Sequence, residues 1–232
     1  MHSASIEAAL PRASSRADDR TTRTLLACGI YAGPLFVAVG LIQALTVPGF
    51  DLTHHYLSQL SSGELGWIQI ANFVVGGLLV IAAAVGVHRA GRTTLGTAGP
   101  VLLACFGVGF AAAGVFVADP ALGFPPGTPD RIPTQQTWHS MLHGVAAIVS
   151  FVCLVGACFA LGYRFVRQRQ RGWALYSVGT GVVSFGLPAV PNPWGGVFLF
   201  VAAAIGLGWI AVLCVMPVIS KLHRSRKRNC KK

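Results

Sequence analysis

Six long apolar stretches dominate this sequence of 232 residues and limit what it can fold into. A helix of roughly 20 apolar residues crosses a hydrocarbon core about 30 Å thick, and every stretch is long enough to do so. With 53% hydrophobic and only 11% charged residues, and a mean hydropathy of +0.63, the chain is too apolar for a soluble domain. The stretches are 25–46, 67–88, 98–118, 139–163, 172–190 and 194–219. We therefore expect an all-α membrane protein, a bundle of six transmembrane helices.

Helices are expected because a membrane interior leaves free backbone groups unsatisfied, and the stretches lack the alternation of barrel strands.

The positions of the basic residues predict how this bundle is oriented. Seventeen of the 18 Lys and Arg residues lie in the terminal segments or in the connections after the second and fourth stretches, and Arg131 alone lies in the opposite connections. Since Lys and Arg are retained on the cytoplasmic side, both termini are predicted to be cytoplasmic, in a cell membrane.

The chain divides into three expected segments: a disordered cytoplasmic arm over 1–24, a transmembrane domain over 25–219 and a basic cytoplasmic tail over 220–232. The arm is polar and has no apolar core of its own. The tail sequence KLHRSRKRNCKK fits attraction to anionic lipid headgroups, at about 1 kcal/mol per basic residue, or a role in topology alone. The net charge of +11 does not indicate nucleic acid, because it is spread over four juxtamembrane segments without a nucleic-acid motif. The expected partner is the lipid bilayer.

Polar residues near the non-cytoplasmic ends of the helices predict a pocket that opens to the outside. At about 1.5 Å of rise per residue, several of them lie at depths that agree within about one helical turn. Polar groups inside a membrane usually face the bundle interior or a wet cavity, and the connection over 47–66 is expected to close it. The candidate pocket residues are Gln43, Asp51, His54, His55, Ser58, Asn72, Asp119, His139 and His143. Small residues such as Gly29 and Gly33 predict the packing faces of the helices.

Two segments resemble the DUF998 family of bacterial multi-pass membrane proteins. The first contains GP in the first stretch, the turn PGFD, the segment LSQL, then GW and NF at the start of the second stretch; the second is the Pro- and Thr-rich FPPGTPDRIPTQQTWHSMLH. The positions that match the family are Asp51, Ser58, Asn72 and His143. LSQL departs from the family's ISxL at its first letter, and Gln59 stands where the family often carries an acid. The resemblance implies the topology and a shared outer pocket, and no activity.

Three classes of function remain open from the sequence. The bundle could be structural or partner-binding, with its polar residues satisfying one another. It could bind a small molecule or lipid that enters from outside or from the outer leaflet. The third alternative is a zinc-dependent membrane hydrolase, because His139 and His143 are four residues apart on one helix face, as two zinc ligands would be. Asp119, or else His54 or His55, is available as a third ligand. No cofactor is expected for the first two classes, and zinc for the third.

Overall fold

The computed structural model describes residues 10–91, 95–191 and 193–229, with side chains described from 18 to 216 inside those ranges. These residues form six long α-helices and one 3₁₀ helix, and they contain no strand. The elements are α1 Leu10–Thr46, the 3₁₀ helix Leu57–Ser62, α2 Gly66–Gly91, α3 Ala98–Val115, α4 Trp138–Arg167, α5 Arg171–Ala189 and α6 Gly195–Asn229. The all-α prediction is confirmed.

The six helices form a ring in the order of the sequence. Each helix packs on the one before it, α1 packs on α6 to close the ring, and α2 also touches α6. Neighbouring helices that pack along one another run antiparallel. The two long connections, 47–65 and 116–137, consequently meet at one end of the ring, where they hydrogen-bond to each other. We call these two connections the cap.

Aromatic and glycine contacts hold the first three helices together. Near the cap, the rings of Phe36, Phe73 and Phe110 pack edge to face, with centroids 5.2, 4.8 and 5.0 Å apart. Further from the cap, a Cβ atom on Gly77 would lie 2.5 Å from the carbonyl oxygen of Gly107, and a Cβ on Gly107 would lie 2.7 Å from that of Gly77. The α2 and α3 backbones therefore touch at a point where no side chain fits.

Five of the helices are long and apolar enough to cross a membrane: α2, α3, α4, and the segments Asp18–Thr46 of α1 and Gly195–Met216 of α6. The chain is therefore a multi-pass membrane protein. Helix α5, with 19 residues, is not among these five, and its inward face carries the buried hydroxyls of Ser177, Thr180 and Ser184. The sixth crossing and the side on which the termini lie stay predictions.

Helix α1 starts earlier than the sequence indicated. The segment 1–24 was expected to be a disordered arm, but α1 begins at Leu10; residues 1–9 lie outside the described residues. Pro11 stands in the first turn, where its missing N–H removes no helical hydrogen bond. Within this extension the Thr22 hydroxyl donates to the carbonyl of Asp18 (2.9 Å), and Asp18 pairs with Arg89 of α2 (2.8 Å). Packing of α1 against α2 thus continues beyond its apolar part.

The basic tail likewise does not form a separate segment in the backbone. Helix α6 continues through residue 220 to Asn229. The side chains of 217–229 and all of 230–232 lie outside the described part of the chain, and with them the expected anionic-lipid site.

Candidate functional site

A buried histidine joins the two connections that make up the cap. The Nδ1 atom of His55 accepts a hydrogen bond from the backbone N–H of Asp51 (2.9 Å), so its Nε2 atom carries the hydrogen and donates to the carbonyl of Leu122 (2.7 Å). The His55 residue is only 5% exposed, and its ring packs between those of Phe50 and Phe124 at 5.3 and 5.5 Å. His55 therefore has a structural role.

A second buried side chain of the cap makes the same connection. Gln59 donates from Nε2 to the carbonyl of Ala121 (2.7 Å) and accepts from the backbone N–H of Tyr56 at its Oε1 (2.7 Å). Both of its polar ends are thus satisfied. Together with His55, it holds the connection 47–65 against the connection 116–137.

Two more predicted residues of the first connection, His54 and Asp51, lie on the surface of the cap. His54 pairs with Asp130 at 2.8 Å, with both side chains largely exposed. Asp51 accepts at Oδ1 from the hydroxyl and the backbone N–H of Thr53 (2.7 and 2.8 Å), and these bonds lower the pKa of its carboxyl group. A lowered pKa means that this turn is stabilised above the ordinary pKa of an aspartate and loses that support as the pH falls through the lowered value.

Asp119 fixes the start of α4. Its carboxylate accepts from the hydroxyl of Thr137 (2.6 Å) and from the backbone N–H of the same residue (2.7 Å), and Thr137 is the residue that caps α4. The backbone N–H of Asp119 also donates to the Ser140 hydroxyl (3.2 Å). Both carboxylate oxygens are therefore already engaged in joining the end of α3 to the start of α4.

The two histidines of α4 have different surroundings. His139 is exposed, and its ring stacks on that of Trp138 at 3.5 Å. His143 is half-buried, and its Nδ1 atom lies 2.8 and 2.9 Å from the carbonyl oxygens of Ala113 and Phe116 at the end of α3. Since a carbonyl oxygen only accepts, Nδ1 of His143 must carry the hydrogen. The ring is thereby held in one orientation.

Gln43 and Asn72 belong to a separate buried group between α1 and α2, with Gln69 as a third member. Asn72 donates from Nδ2 to the carbonyl of Phe36 (3.1 Å) and to Gln69 Oε1 (3.2 Å), and Gln43 donates from Nε2 to the carbonyl of Leu65 (3.4 Å). Gln69 is fully buried, and its place three residues before Asn72 on one helix face would have identified it in the sequence. None of the three lines a space beside His143.

Two adjacent spaces lie beside His143. The inner cavity, of about 80 Å³, lies inside the ring of helices; besides His143, Ser58 and Ser150, its walls are apolar and carry five phenylalanines: Phe36, Phe73, Phe110, Phe151 and Phe200. The side cleft, of about 600 Å³, lies between the cap and α4. Ser58, His143 and Leu199 line both spaces. Of the nine candidate residues, these spaces bring together only Ser58, Asp119 and His143.

The metal set expected for a zinc hydrolase is not assembled. Across the described residues, no three His, Cys, Asp or Glu side chains are close enough together to hold a metal ion. Nδ1 of His143 faces backbone carbonyls, the Asp119 carboxylate caps α4, and His139 stacks on Trp138. The geometry therefore gives no support to the zinc-hydrolase alternative.

The comparison with protein-family models agrees with this architecture. The model described as "Protein of unknown function (DUF998)" matches residues 30–216. The chain belongs to the DUF998 family. The match runs from the first turns of the membrane part of α1 to the last apolar residues of α6, so it covers both the cap and the two spaces. No curated protein and no solved structure shows significant similarity to the chain, and the family itself assigns no activity.

Proposed function

We propose that this DUF998 protein binds a small amphipathic molecule or lipid, which reaches the inner cavity through the side cleft. The observation that carries the proposal is that Ser58, His143 and Leu199 form a common wall of the two spaces. A short apolar segment, such as the end of an acyl chain, suits the phenylalanine-lined cavity of about 80 Å³, where water would gain few hydrogen bonds. A polar group fits the junction at Ser58 and His143. Concave, mostly apolar sites with a few placed polar groups are typical of ligand binding.

The outer wall of the cleft indicates access from the lipid. Val145 and Ile148 line the cleft, yet they belong to the exposed apolar face of α4, at 57% and 67% exposure. In a membrane-spanning helix such a face contacts acyl chains. A lipid can therefore pass from the bilayer into the cleft without crossing water.

We also infer six crossings with both termini in the cytoplasm of the cell. If α5 did not cross, the connection 168–170 and the C-terminal end of α6 would lie on opposite sides, and one of these basic segments would be outside. The polar groups of α5 do not prevent insertion because they are used inside the protein. Ser177 accepts from Trp209 Nε1 (3.1 Å), and Ser184 donates to the carbonyl of Ala202 (3.3 Å). In this topology the cap and the side cleft face the outside.

Single cysteines at three exposed positions test this topology. In a background without the native cysteines, we expect Gln135→Cys and Pro191→Cys to react with an impermeant maleimide from outside intact cells. Gln170→Cys should react only after the cells are opened, because basic residues surround it. Reaction of Pro191→Cys and Gln170→Cys from the same side would show that α5 does not cross, because the two positions lie at its opposite ends.

A filled cavity tests the binding proposal. Ala147 lines the inner cavity, so Ala147→Phe should occupy the space of the acyl chain and lower photolabelling by a single-chain lipid with a terminal diazirine at least ~10-fold, by loss of apolar contact. Val149→Phe is the matched control, because Val149 lies two residues away on the exposed face of α4. Labelling of Phe110, Phe151 or Phe200 in the wild type locates the bound chain. Equal labelling of wild type and Ala147→Phe would contradict the proposal.

A further inference from the structure

We propose that His143 selects an uncharged ligand with a hydrogen-bond donor, such as the hydroxyl group of a monoacylglycerol. This inference rests on the proposed function and names the chemistry of its ligand. It comes from the way in which α3 holds the imidazole ring of His143, from the free hydroxyl of Ser58 and from the charges along the two spaces.

The ring of His143 offers an acceptor to the ligand. Its Nδ1 hydrogen is shared between the carbonyl oxygens of Ala113 and Phe116, at 2.8 and 2.9 Å. In the uncharged imidazole the other nitrogen, Nε2, then carries a lone pair and only accepts. No side chain or backbone group of the described residues bonds to Nε2, and the ring lines both spaces. A hydroxyl or amide N–H of a ligand is the complement of this atom.

Ser58 supplies a second polar contact at the same junction. It lines both spaces with His143, and its hydroxyl makes no hydrogen bond with the residues that the structure describes. A hydroxyl both donates and accepts, so Ser58 can accept a second ligand hydroxyl or donate to a ligand ester carbonyl. A glycerol headgroup carries both groups on neighbouring atoms.

The walls do not suit a charged headgroup. Among the described residues that line the cavity and the cleft there is no Lys or Arg, and the acidic residue Asp119 has both carboxylate oxygens bonded to Thr137. A phosphate or carboxylate group would lie at the junction without a counter-charge, which is costly away from water. The site therefore favours neutral single-chain lipids over fatty acids and lysophospholipids.

Competition against the diazirine lipid tests the selectivity on the full chain in nanodiscs. We expect monooleoylglycerol to compete about 10-fold better than its di-O-methyl ether, which keeps the acyl chain and the headgroup oxygens, adds two methyl groups and lacks the donors. Oleate should also compete poorly. In His143→Phe the difference between monooleoylglycerol and the ether should disappear, and His139→Phe, one turn away and outside both linings, should keep it.

The outcomes separate this inference from the proposed function. Equal competition by monooleoylglycerol and its ether in the wild-type chain overturns the selectivity and leaves lipid binding intact, and this comparison needs no variant. If a folded His143→Phe protein still prefers monooleoylglycerol to the ether, the inference is also overturned, because another group would then bind the ligand's donor. Failure of every single-chain lipid to compete, together with equal labelling of Ala147→Phe and wild type, overturns the proposed function itself.

Discussion

Replacing Gly77 by leucine is expected to prevent the bundle from forming a stable fold. A Cβ atom there would lie 2.5 Å from the carbonyl oxygen of Gly107 and 2.7 Å from the backbone nitrogen of Ala111. Neither atom can move without displacing α3. Overpacking of this kind costs about 3 kcal/mol, and more where backbone must shift. We therefore expect the unfolding temperature in detergent, measured by size-exclusion chromatography after heating, to fall well below that of the wild type.

Gly179→Leu is the matched control for this change. Gly179 is also a helical glycine, but it is exposed on α5 and nothing lies within 4 Å of its added Cβ. Leucine favours helix more than glycine does, so this variant should be as stable as the wild type or slightly more so. Equal stability of the two leucine variants would mean that α2 and α3 do not approach each other as the structure shows.

Replacing His55 by phenylalanine is expected to release the cap. The change keeps an aromatic ring between Phe50 and Phe124, but it removes the bonds to Asp51 and to Leu122 and leaves the part-buried carbonyl of Leu122 without its donor. Each such loss costs about 1 to 3 kcal/mol. A loss of about 3 kcal/mol raises the population of the open cap about 100-fold. Tryptic cleavage after Arg131, in the second connection, should accelerate accordingly, since it follows the open population.

His54→Phe provides the comparison for the cap. This neighbouring histidine makes an exposed ion pair with Asp130, and exposed pairs contribute only about 0 to 1 kcal/mol. Cleavage after Arg131, followed by mass spectrometry of the fragments, should change by less than about 5-fold. If both variants were cleaved equally fast, His55 would not be what holds the two connections together.

Patterns that depend on the membrane alone were predicted well from the sequence. The apolar stretches predicted all six helices, and the bounds of α2, α3, α4 and α5 agree within four residues, because each helix must satisfy its own backbone hydrogen bonds in lipid. Helix α6 continues ten residues beyond its predicted end. The face carrying Gly29 and Gly33 does pack on another helix, since both glycines contact α6, at Cys214 and Leu207. The start of α1 was predicted less well, because the helicity of 10–24 follows from contact with α2 as well as from composition.

The candidate site was predicted only in part. Depth along the helices correctly selected polar residues near one end of the bundle, but it carries no information about which of them share a space. His143 of α4 and Ser58 of the 3₁₀ helix line the same two spaces, and sequence spacing does not show such a placement. Asn72 instead bonds to the backbone of α1, Gln43 bonds to the carbonyl of Leu65 just before α2, and His55 joins the two connections of the cap. Both His143 and His55 bond to backbone carbonyls, and a sequence does not show which carbonyl a side chain will reach.

Helix α5 has a consequence for how the chain is made. Two of its buried hydroxyls, those of Ser177 and Ser184, have their partners on α6, at Trp209 and Ala202. A segment of this kind gains little from partitioning into lipid by itself, whereas helices that are already inserted can associate afterwards. If α5 crosses as proposed, it should therefore stay near the insertion machinery during synthesis until α6 emerges, and the ring should close in one late step.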